Sequence, residues 1–511
     1  MSTAVLSDQS RKPAEPAALG GLAGQAAERR AKRDALQALG INPYPTRFER
    51  SATLADLHSA HSGLDPDTRT GEVASVAGRM ASMRGHGKLR FATIEDASGV
   101  VQLMFRADHL PADAAAVESL VDLGDWVGVT GEVITSRRGE LSIDVSGVEI
   151  LSKALRPLPD RRHGLSEAET RYRQREVDLL ANKESRRVFD IRFKTLSILR
   201  DRLAGQGFME VETPILQPQA GGALARPFFT HANALDTEFS LRIAPELYLK
   251  RLVVGGYERV FEVARNFRNE GIDTRHSPEF TSLEAYRAFG DFRDGMDLTE
   301  HLIVEAARGA VGRLEFDFAG QRVDLTPPWP RRDLLDMLQE RLGERVHPSM
   351  PVERLREICA ANDVACLPAW GPGKLVFELY DQLLMGETAG PVFIYHYPTE
   401  VSPLARQSPE DPTVTDRFEL VIGGRELANG YSELNDPDEQ AKRFEAEARA
   451  AAGGETEAHP SDAAFVRALE FGLPPTSGIG IGIDRLIMLL AEVPAIRDVI
   501  LFPLMRTEAV S

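Results

Sequence analysis

Cysteine and long apolar runs are the features that this sequence has least of. Its 511 residues include two cysteines, Cys359 and Cys366, and neither has a neighbouring His or Cys at the spacing of a metal site. We therefore expect two reduced thiols with a structural role, rather than a disulfide framework or a zinc site. Reduced thiols in turn indicate a cytoplasmic protein. No stretch approaches the ~18 consecutive apolar residues of a membrane-spanning helix. The sequence thus predicts a soluble protein.

Positive charge is also scarce, and several common catalytic motifs are missing. Lys and Arg number 60 against 77 Asp and Glu, a formal net charge of −17 that argues against a protein that wraps a polyanion. Two basic clusters, Arg29-Arg30-Lys32-Arg33 and Arg137-Arg138, keep nucleic-acid binding open, because a binder needs positive potential only where it touches phosphate. The sequence has no GxxxxGK loop, no dinucleotide fingerprint and no Ser/His or Cys/His nucleophile arrangement.

Changes in patterning divide the chain into domains. Residues 1–27 are rich in Ala, Gly and Pro and are predicted to be a disordered tail, and residues 28–72 hold a basic helix and a lead-in segment. Between 73 and 155, five β-type runs with a helix between the third and fourth have the order of an OB-fold barrel, a fold that binds single-stranded nucleic acid. A linker is predicted at 156–187. Residues 188–508 indicate one α+β domain with a helical insertion at 330–391, and near its start GFMEVETPIL is predicted to be a strand that ends at Pro214.

A long-looped β-hairpin is predicted from Glu258 to Tyr286. Successive strand residues point to opposite faces, so alternate residues of both strands share one surface. That surface carries Val260, Glu262, Ala264, Asn266, Arg268, Phe280, Ser282, Glu284 and Tyr286. So many polar groups would make a strange core but a plausible site; a solvated amphipathic hairpin is the alternative.

A second predicted hairpin, RFELVIGGRELANGYSEL, suggests a magnesium site. A two-residue glycine turn sets Glu426 opposite Val421, which shares its face with Glu419. Like charges at this separation destabilise a sheet unless a cation lies between them, and carboxylate oxygens beside a phosphate suit Mg²⁺. A solvent-facing pair is the alternative.

The same strand contains two further polar residues whose direction depends on its register. Strict alternation from Glu426 turns Asn429 and Glu433 to the opposite face. If they also face the site, we expect a β-bulge near Asn429-Gly430.

Three more segments carry polar residues at positions suited to ligands. GIGIGIDRLIMLL predicts a strand whose glycines let a ligand lie flat, followed by a helix that places Arg485 where it could meet phosphate. Gly222 belongs to a Gly-Gly pair, and Glu246 follows Pro245 in the first turn of a helix, a position with a purely structural alternative. Arginines from two elements, a carboxylate pair and further acids suit the attack of a substrate carboxylate on the α-phosphate of ATP.

These motifs resemble a known family. RNFRNEG…RHSPEF resembles motif 2 of the class II aminoacyl-tRNA synthetases, GFMEVETPIL resembles motif 1, and GIGIGIDR resembles motif 3. The segments APELYLKRLVVGG, TEVSPLAR, ANGYSELNDP and DVILFPLMR are similar to those of bacterial-type lysyl-tRNA synthetases. The resemblance extends from about Ala31 to Arg506. It implies an N-terminal OB-fold, an antiparallel-sheet catalytic domain, ATP as substrate, Mg²⁺ as cofactor, tRNA(Lys) and L-lysine as partners, and a homodimer.

The resemblance also implies residue roles. Arg268 would bridge the ATP α-phosphate and the amino-acid carboxylate, and Arg485 would bind the γ-phosphate, which makes these two the catalytic residues. The remaining ATP contacts would be Glu270 near adenine, His276 near the phosphates and Phe280 stacked on adenine; the metal ligands would be Glu419 and Glu426. For lysine, the α-amino group would be held by Gly222, Glu246 and Glu284, the carboxylate by Asn429, and the ε-ammonium by Tyr286 and Glu433. The anticodon contacts would be Arg84, Phe91, Gln102 and Glu140.

Two other readings remain open from the sequence. The chain could be a paralogue of this family with a side role, such as inhibitor resistance, lysine transfer to another acceptor or dinucleotide polyphosphate synthesis. It could also be a non-enzymatic nucleic-acid-binding protein, but Arg268, Arg485, Glu419 and Glu426 are all present.

Overall fold

The computed structural model describes residues 17–87, 89–159, 165–223, 225–452 and 462–506. The chain forms two compact units, Met1–Gly164 and Leu165–Ser511. Residues 1–16 of the predicted tail lie outside the described residues. None of the described helices combines the length and apolar character that crossing a membrane requires.

The first unit is built on five strands that close into a ring. Its elements are α1 (Ala17–Ala38), α2 (Leu54–Ala60), β1 (Arg69–His86), β2 (Leu89–Glu95), β3 (Val100–Arg106), α3 (Ala112–Leu120), β4 (Trp126–Thr135) and β5 (Leu141–Ser152). The strand order around the ring is β1-β2-β3-β5-β4, with β3 and β5 parallel and β4 returning to β1. Strand and helix order match the prediction. Alternate residues such as Ile94, Leu103 and Val129 fill the interior.

Helix α1 corrects the predicted extent of the tail. It spans Ala17–Ala38, so residues 17–27, which were predicted to be disordered, are helical. The segment AALGGLAGQAA is rich in alanine, the strongest helix former, and this preference outweighs its three glycines.

The basic face of α1 is partly used within its own unit. Arg29 is buried and donates hydrogen bonds to the carbonyl oxygens of Leu123 (2.9 Å) and Ala154 (3.1 Å). Lys32 Nζ lies 2.6 Å from the Asp122 carboxylate. Arg30 and Arg33 remain on the surface of the helix, so only part of the predicted basic cluster is left for other contacts.

The second unit begins with helices and continues into a large mixed sheet. Its first half contains α4 (Ala168–Arg173), α5 (Arg175–Ala181), α6 (Lys183–Gly205), β6 (Met209–Glu210), β7 (Leu216–Gln217), β8 (Phe229–Ala232), β9 (Thr237–Leu241), α7 (Glu246–Val254), β10 (Arg259–Phe267), β11 (Glu279–Ala288) and α8 (Phe292–Val311). Helices α4, α5 and the start of α6 occupy part of the predicted 156–187 linker.

The second half contains the insertion and the remaining strands. Its elements are β12 (Glu315–Phe318), β13 (Gln321–Asp324), β14 (Arg331–Asp333), α9 (Leu334–Leu342), α10 (Val352–Ala361), α11 (Pro372–Leu383), β15 (Val392–Tyr395), β16 (Arg417–Val421), β17 (Glu426–Ser432), α12 (Pro437–Ala452), α13 (Ala463–Leu469), β18 (Thr476–Gly482), α14 (Ile483–Ala491) and α15 (Ile496–Val499). Helices α9 to α11 lie within residues 330–391 and share an apolar cluster that includes Leu338, Leu355 and Leu379.

Eight strands form the central sheet in the order β14-β15-β16-β17-β18-β11-β10-β6. Strands β10 and β11 pair antiparallel with Val260 opposite Tyr286 and Glu262 opposite Glu284, as the hairpin prediction requires. The odd-numbered residues Leu283 and Ala285 face a core shared with α6, α8 and α14. The even-numbered residues therefore face the other side of the sheet, where a cavity lies.

Two strand predictions are wrong in detail. The bulge in β17 lies at Leu427, because Val421 pairs with Glu426 while Leu420 pairs with Ala428; it is not at Asn429-Gly430. The tight turn at Gly423-Gly424 sets the pairing of the residues that flank it, so the bulge lies close to the turn. The predicted strand GFMEVETPIL is also short: β6 comprises Met209–Glu210, and the chain leaves the ladder before Pro214, which lacks an N–H donor.

Candidate active site

One cavity of about 370 Å³ gathers most of the predicted site residues. It lies on the even-numbered face of β10 and β11 and against β17 and β18 of the central sheet. Its lining includes Gly222, Glu246, Arg268, Glu270, His276, Phe280, Glu284, Tyr286, Glu426, Asn429, Glu433 and Arg485. The lining does not include Glu419, which lies on the neighbouring strand β16.

The floor of the cavity is the glycine strand β18, which lies between β11 and β17. Gly478 pairs with Tyr286 on one side and Tyr431 on the other. Gly480 pairs in the same way with Glu284 and Asn429. Because these glycines have no side chain, the side chains of the flanking strands border an open slot above β18.

Buried acids crowd the inner end of the slot. Glu433, at 2% exposure, has an Oε1 atom without a hydrogen-bond partner among the described residues. Burial raises the pKa of Glu433 well above its ordinary value, although the Lys250 ammonium beside it opposes that rise. The Tyr286 hydroxyl is also buried and donates a hydrogen bond to Glu284 Oε2 (3.3 Å). Burial and the nearby Glu246 carboxylate raise the pKa of Glu284 to about 8.

The outer part of the cavity is rich in arginine. The Arg268 guanidinium stacks 5.0 Å from the ring centroid of Phe280. Asp484 accepts hydrogen bonds from Arg192 (2.5 Å) and the Thr281 backbone (2.7 Å), which fixes the entry to α14. Arg485, the next residue, then turns toward the cavity and lies 3.7 Å from the Glu426 carboxylate.

The loop between β10 and β11 carries two polar side chains that interact with each other, Asp273 and His276. Asp273 accepts from the backbone of Arg275 (2.6 Å) and contacts His276 Nδ1 at 2.9 Å. These bonds lower the pKa of Asp273 to about 2. His276 remains exposed at the rim of the cavity.

The two predicted metal ligands, Glu419 and Glu426, lie close enough to interact. Glu419 opposes Asn429 in the ladder, and its carboxylate accepts hydrogen bonds from Arg417 (2.6 Å) and Tyr397 (3.0 Å). Burial, followed by the charge of Glu426, raises the pKa of Glu419 to about 7. A buried carboxylate that lies beside a second carboxylate fits a divalent cation placed between the two groups. Within the described ranges, no cluster of three or more His, Cys, Asp or Glu side chains has the arrangement of a metal site.

The predicted anticodon contacts share one outer face of the ring in the first unit. Arg84 pairs with Phe91 across β1 and β2, and Gln102 follows on β3 with the same parity. Gln102 Nε2 donates to Glu140 Oε2 (2.8 Å) in the β4–β5 turn. Arg84 and Glu140 are exposed and Phe91 is half-buried, so the face presents a cation, a ring and a carboxylate. Gln102 is buried beneath them and is hydrogen-bonded to Glu140 and Ser142.

Sequence reasoning did not assign two cavity residues, Asn266 and Tyr431, or the buried residue Lys250, all of which the structure places beside the acids. Asn266 is buried, has an unpartnered Oδ1, and lies on the predicted face of the hairpin. Tyr431, on β17, contacts Glu246 through its hydroxyl and lies between Asn429 and Glu433 in the sequence. Lys250 follows Glu246 by four residues on α7. Strand parity and the i,i+4 spacing on the helix were the available signals.

The geometry combines an anionic slot with an arginine-lined entrance. Acids at the inner end accept ammonium groups, and arginines at the outer end accept carboxylate and phosphate oxygens. A compound with ammonium groups at one end and a carboxylate at the other would therefore place that carboxylate among the arginines. Such a site positions a carboxylate for attack on a phosphate ester or anhydride.

Comparison with known proteins identifies relatives along nearly the whole chain. Residues 167–506 match the family tRNA synthetases class II (D, K and N), and residues 74–151 match the OB-fold nucleic acid binding domain. The lysine–tRNA ligase of Enterococcus faecalis is 47% identical over 94% of this chain and 96% of its own length. The lysine–tRNA ligases of Bacillus subtilis (45%, 94% and 96%) and Idiomarina loihiensis (48%, 95% and 97%) are similar to the same extent. The predicted OB-fold and class II architecture are thereby confirmed.

Proposed function

Because the chain belongs to the class II tRNA synthetases, within the lysine–tRNA ligases, we propose that its cavity binds L-lysine and ATP and that its ring of strands binds tRNA(Lys). The enzyme is an aminoacyl-tRNA ligase that activates lysine with ATP and transfers it to tRNA. The observation that carries the substrate assignment is the buried acid Glu433, whose free oxygen faces the end of a glycine-floored slot.

Lysine would lie along β18 with its ε-ammonium innermost. Glu433 and the Tyr286 hydroxyl would accept hydrogen bonds from that ammonium. A shorter or uncharged side chain would leave the buried Glu433 Oε1 without a donor and is therefore disfavoured. Glu246, Glu284 and the backbone at Gly222 would hold the α-ammonium. Asn429 would contact the carboxylate.

ATP would occupy the arginine-lined entrance. Phe280 offers a ring face to adenine, with Glu270 at its edge, and Arg268 lies where one guanidinium can contact both the α-phosphate and the lysine carboxylate. His276 and Arg485 are placed for the outer phosphates.

In the first step, a carboxylate oxygen of lysine attacks the α-phosphorus. The bond from that phosphorus to the oxygen bridging to the β-phosphate breaks, and pyrophosphate leaves with its electron pair. In the second step, a terminal ribose hydroxyl of tRNA attacks the lysyl carbonyl carbon. AMP leaves, and the hydroxyl proton is lost.

Glu419 and Glu426 would hold Mg²⁺, which when bound neutralises phosphate charge. The two carboxylates are the part of this arrangement that the chain itself supplies. Arg417 and Tyr397 fix the orientation of Glu419, so the pair is formed before a cation arrives.

Arg84, Phe91, Gln102 and Glu140 would read the anticodon, since a ring flanked by a cation and a carboxylate can stack on a base and bond its edge. We propose a cytoplasmic enzyme because tRNA is its substrate. We also propose a homodimer, supported by a set of exposed apolar side chains on and around the segment that resembles motif 1: Phe193, Met209, Ile215 and Leu216.

The slot assignment is tested by Glu433→Gln, which keeps the shape of the side chain but removes its charge. The KM for lysine in ATP–pyrophosphate exchange is expected to rise roughly 100-fold, because the ε-ammonium loses its counter-ion. The KM for ATP should change by less than about twofold. The exposed Glu470→Gln is the matched control. Equal damage to both KM values would show that Glu433 does not recognise the lysine side chain.

A further inference from the structure

A fully buried cation, Lys250, lies directly behind the lysine slot and has no part in the roles given above. It is on α7, one turn after Glu246, and its side chain has 0% exposure. Its Nζ atom lies 2.7 Å from Glu246 Oε1 and is also in ion-pair contact with Glu433 Oε2. One ammonium therefore joins two acids that lie far apart in the sequence.

The groups that surround Lys250 and Glu433 come from four elements. Helix α7 supplies Glu246, and α13 supplies the ring of Phe465 at 5.9 Å from Nζ. Strand β17 and the residue after it supply Tyr431, whose ring lies 5.3 Å from Nζ, and Glu433 itself. Strand β11 supplies Glu284 and Tyr286, on the far side of Glu433. The cluster thus has three carboxylates, two phenols and one ammonium.

Counting these charges gives a simple balance. Ionised Glu246, Glu284 and Glu433 carry three negative charges, and Lys250 reduces the total to two. Free lysine brings two ammonium groups to this end of the cavity, and its single carboxylate faces Arg268. The occupied site is electrically neutral only when Lys250 is included, and a buried site that is not neutral is costly.

We propose that Lys250 is a positioning residue for lysine recognition: its ion pair fixes Glu433 and favours the ionised form of that carboxylate, so that the slot prefers an ammonium to a neutral group of the same size. This inference rests on the proposed function. Without a neighbouring cation, a carboxyl as deeply buried as Glu433 takes up a proton, and it then offers no charge to the substrate. Two contacts from one ammonium also hold Glu246 and Glu433 at a constant separation.

Binding of two amino acids that differ only in charge tests the proposal. L-Lysine is compared with 6-hydroxynorleucine, which has a hydroxyl in place of the ε-ammonium, as an inhibitor of ATP–pyrophosphate exchange. Lys250→Gln removes the charge but keeps hydrogen-bond donors for both acids. We expect the KM for lysine to rise about tenfold or more, while the inhibition constant of the analogue changes by less than about threefold.

Two further variants separate charge from packing. Lys250→Arg keeps the charge and should keep the preference for lysine over the analogue. Lys374→Gln removes a lysine that also has an i,i+4 partner, Glu378 at 2.8 Å, but lies in the insertion helix α11; it should leave both constants unchanged. A purely structural Lys250 would weaken both ligands equally in Lys250→Gln, and that result would overturn the proposal.

A measurement on the wild-type enzyme decides the matter if Lys250→Gln does not fold. Calorimetry of lysine binding near neutral pH, in buffers of different ionisation enthalpy, counts the protons released. If Lys250 holds Glu433 in its ionised form against the burial that raises the pKa of Glu433, about one proton should leave, from Glu284 with its pKa of about 8. Release of two would contradict the role of Lys250. Failure of the wild-type enzyme to bind lysine at all would instead contradict the proposed function.

Discussion

At the scale of single residues, the buried acids of the slot can bind ammonium groups, but their burial lowers the stability of the folded protein. Glu284 is buried beside Glu246, and among the described residues its carboxylate accepts a side-chain hydrogen bond from the Tyr286 hydroxyl alone. Its pKa of about 8 means that the folded protein holds a proton that the unfolded chain, with a pKa near 4.5, releases. Stability therefore falls as the pH rises from 4.5 toward 8.

Glu284→Gln removes this titration. Relative to the wild type without lysine, the free energy of unfolding of the variant should increase progressively from pH 5 to pH 8, by up to about 4 kcal/mol, since each pKa unit is worth about 1.4 kcal/mol. Chemical denaturation at several pH values measures the difference. Parallel stability curves for the two proteins would show that the carboxyl is not perturbed in the folded state, and Glu470→Gln should give such parallel curves.

The pattern of the sequence predicted which side chains share one face of the hairpin, but it did not predict all of the residues that contact them. The parity of the hairpin placed Arg268, Phe280, Glu284 and Tyr286 on one face, because the period of a strand is two. The contact of Lys250 with Glu433 was not predictable from spacing, since it depends on how α7 packs against the end of β17.

At the scale of elements, the glycine strand β18 determines the width of the slot. A Cβ atom on Gly478 would lie 2.0 Å from Glu433 Oε1 and 2.7 Å from Tyr286 Cε1. On Gly480 the closest contact would be 3.2 Å, to Asn429 Oδ1. The two positions therefore provide a graded comparison on one strand.

Gly478→Ala should raise the KM for lysine about tenfold or more, because the methyl group displaces the groups that receive the ε-ammonium. Gly480→Ala should have a smaller effect, and the KM for ATP should change little in either variant. Steady-state exchange kinetics at saturating ATP measure these constants. An equal or larger effect at Gly480 would place the lysine side chain elsewhere along β18.

The bulge at Leu427 shows where element prediction stops. Alternation required some irregularity between Glu426 and Asn429 if both were to face the site, and the structure has one. Its position follows from how the Gly423-Gly424 turn and strand β16 set the ladder, and a local pattern does not contain that information. Helix α1 begins earlier than predicted for a different reason. Its glycines indicated a disordered tail, but the helix preference of its alanines is the stronger effect.

At the scale of the whole molecule, each unit supplies a separate part of the activity. Residues 74–151 match a nucleic-acid-binding fold and residues 167–506 a synthetase fold. The order of strands and the helix between the third and fourth were readable from the sequence, since turns and apolar alternation are local. The contacts that Arg29 and Lys32 make within the first unit were not readable from the sequence, because their acceptors lie far away along the chain.

This one chain is expected to select lysine and to attach it to tRNA(Lys). The most direct measurement is aminoacylation of transcribed tRNA(Lys) by the full-length protein, with lysine, aspartate and asparagine in parallel. The family includes enzymes for all three amino acids, and the acids of the slot predict charging with lysine alone. Charging with aspartate or asparagine, or with none of the three, would contradict the account.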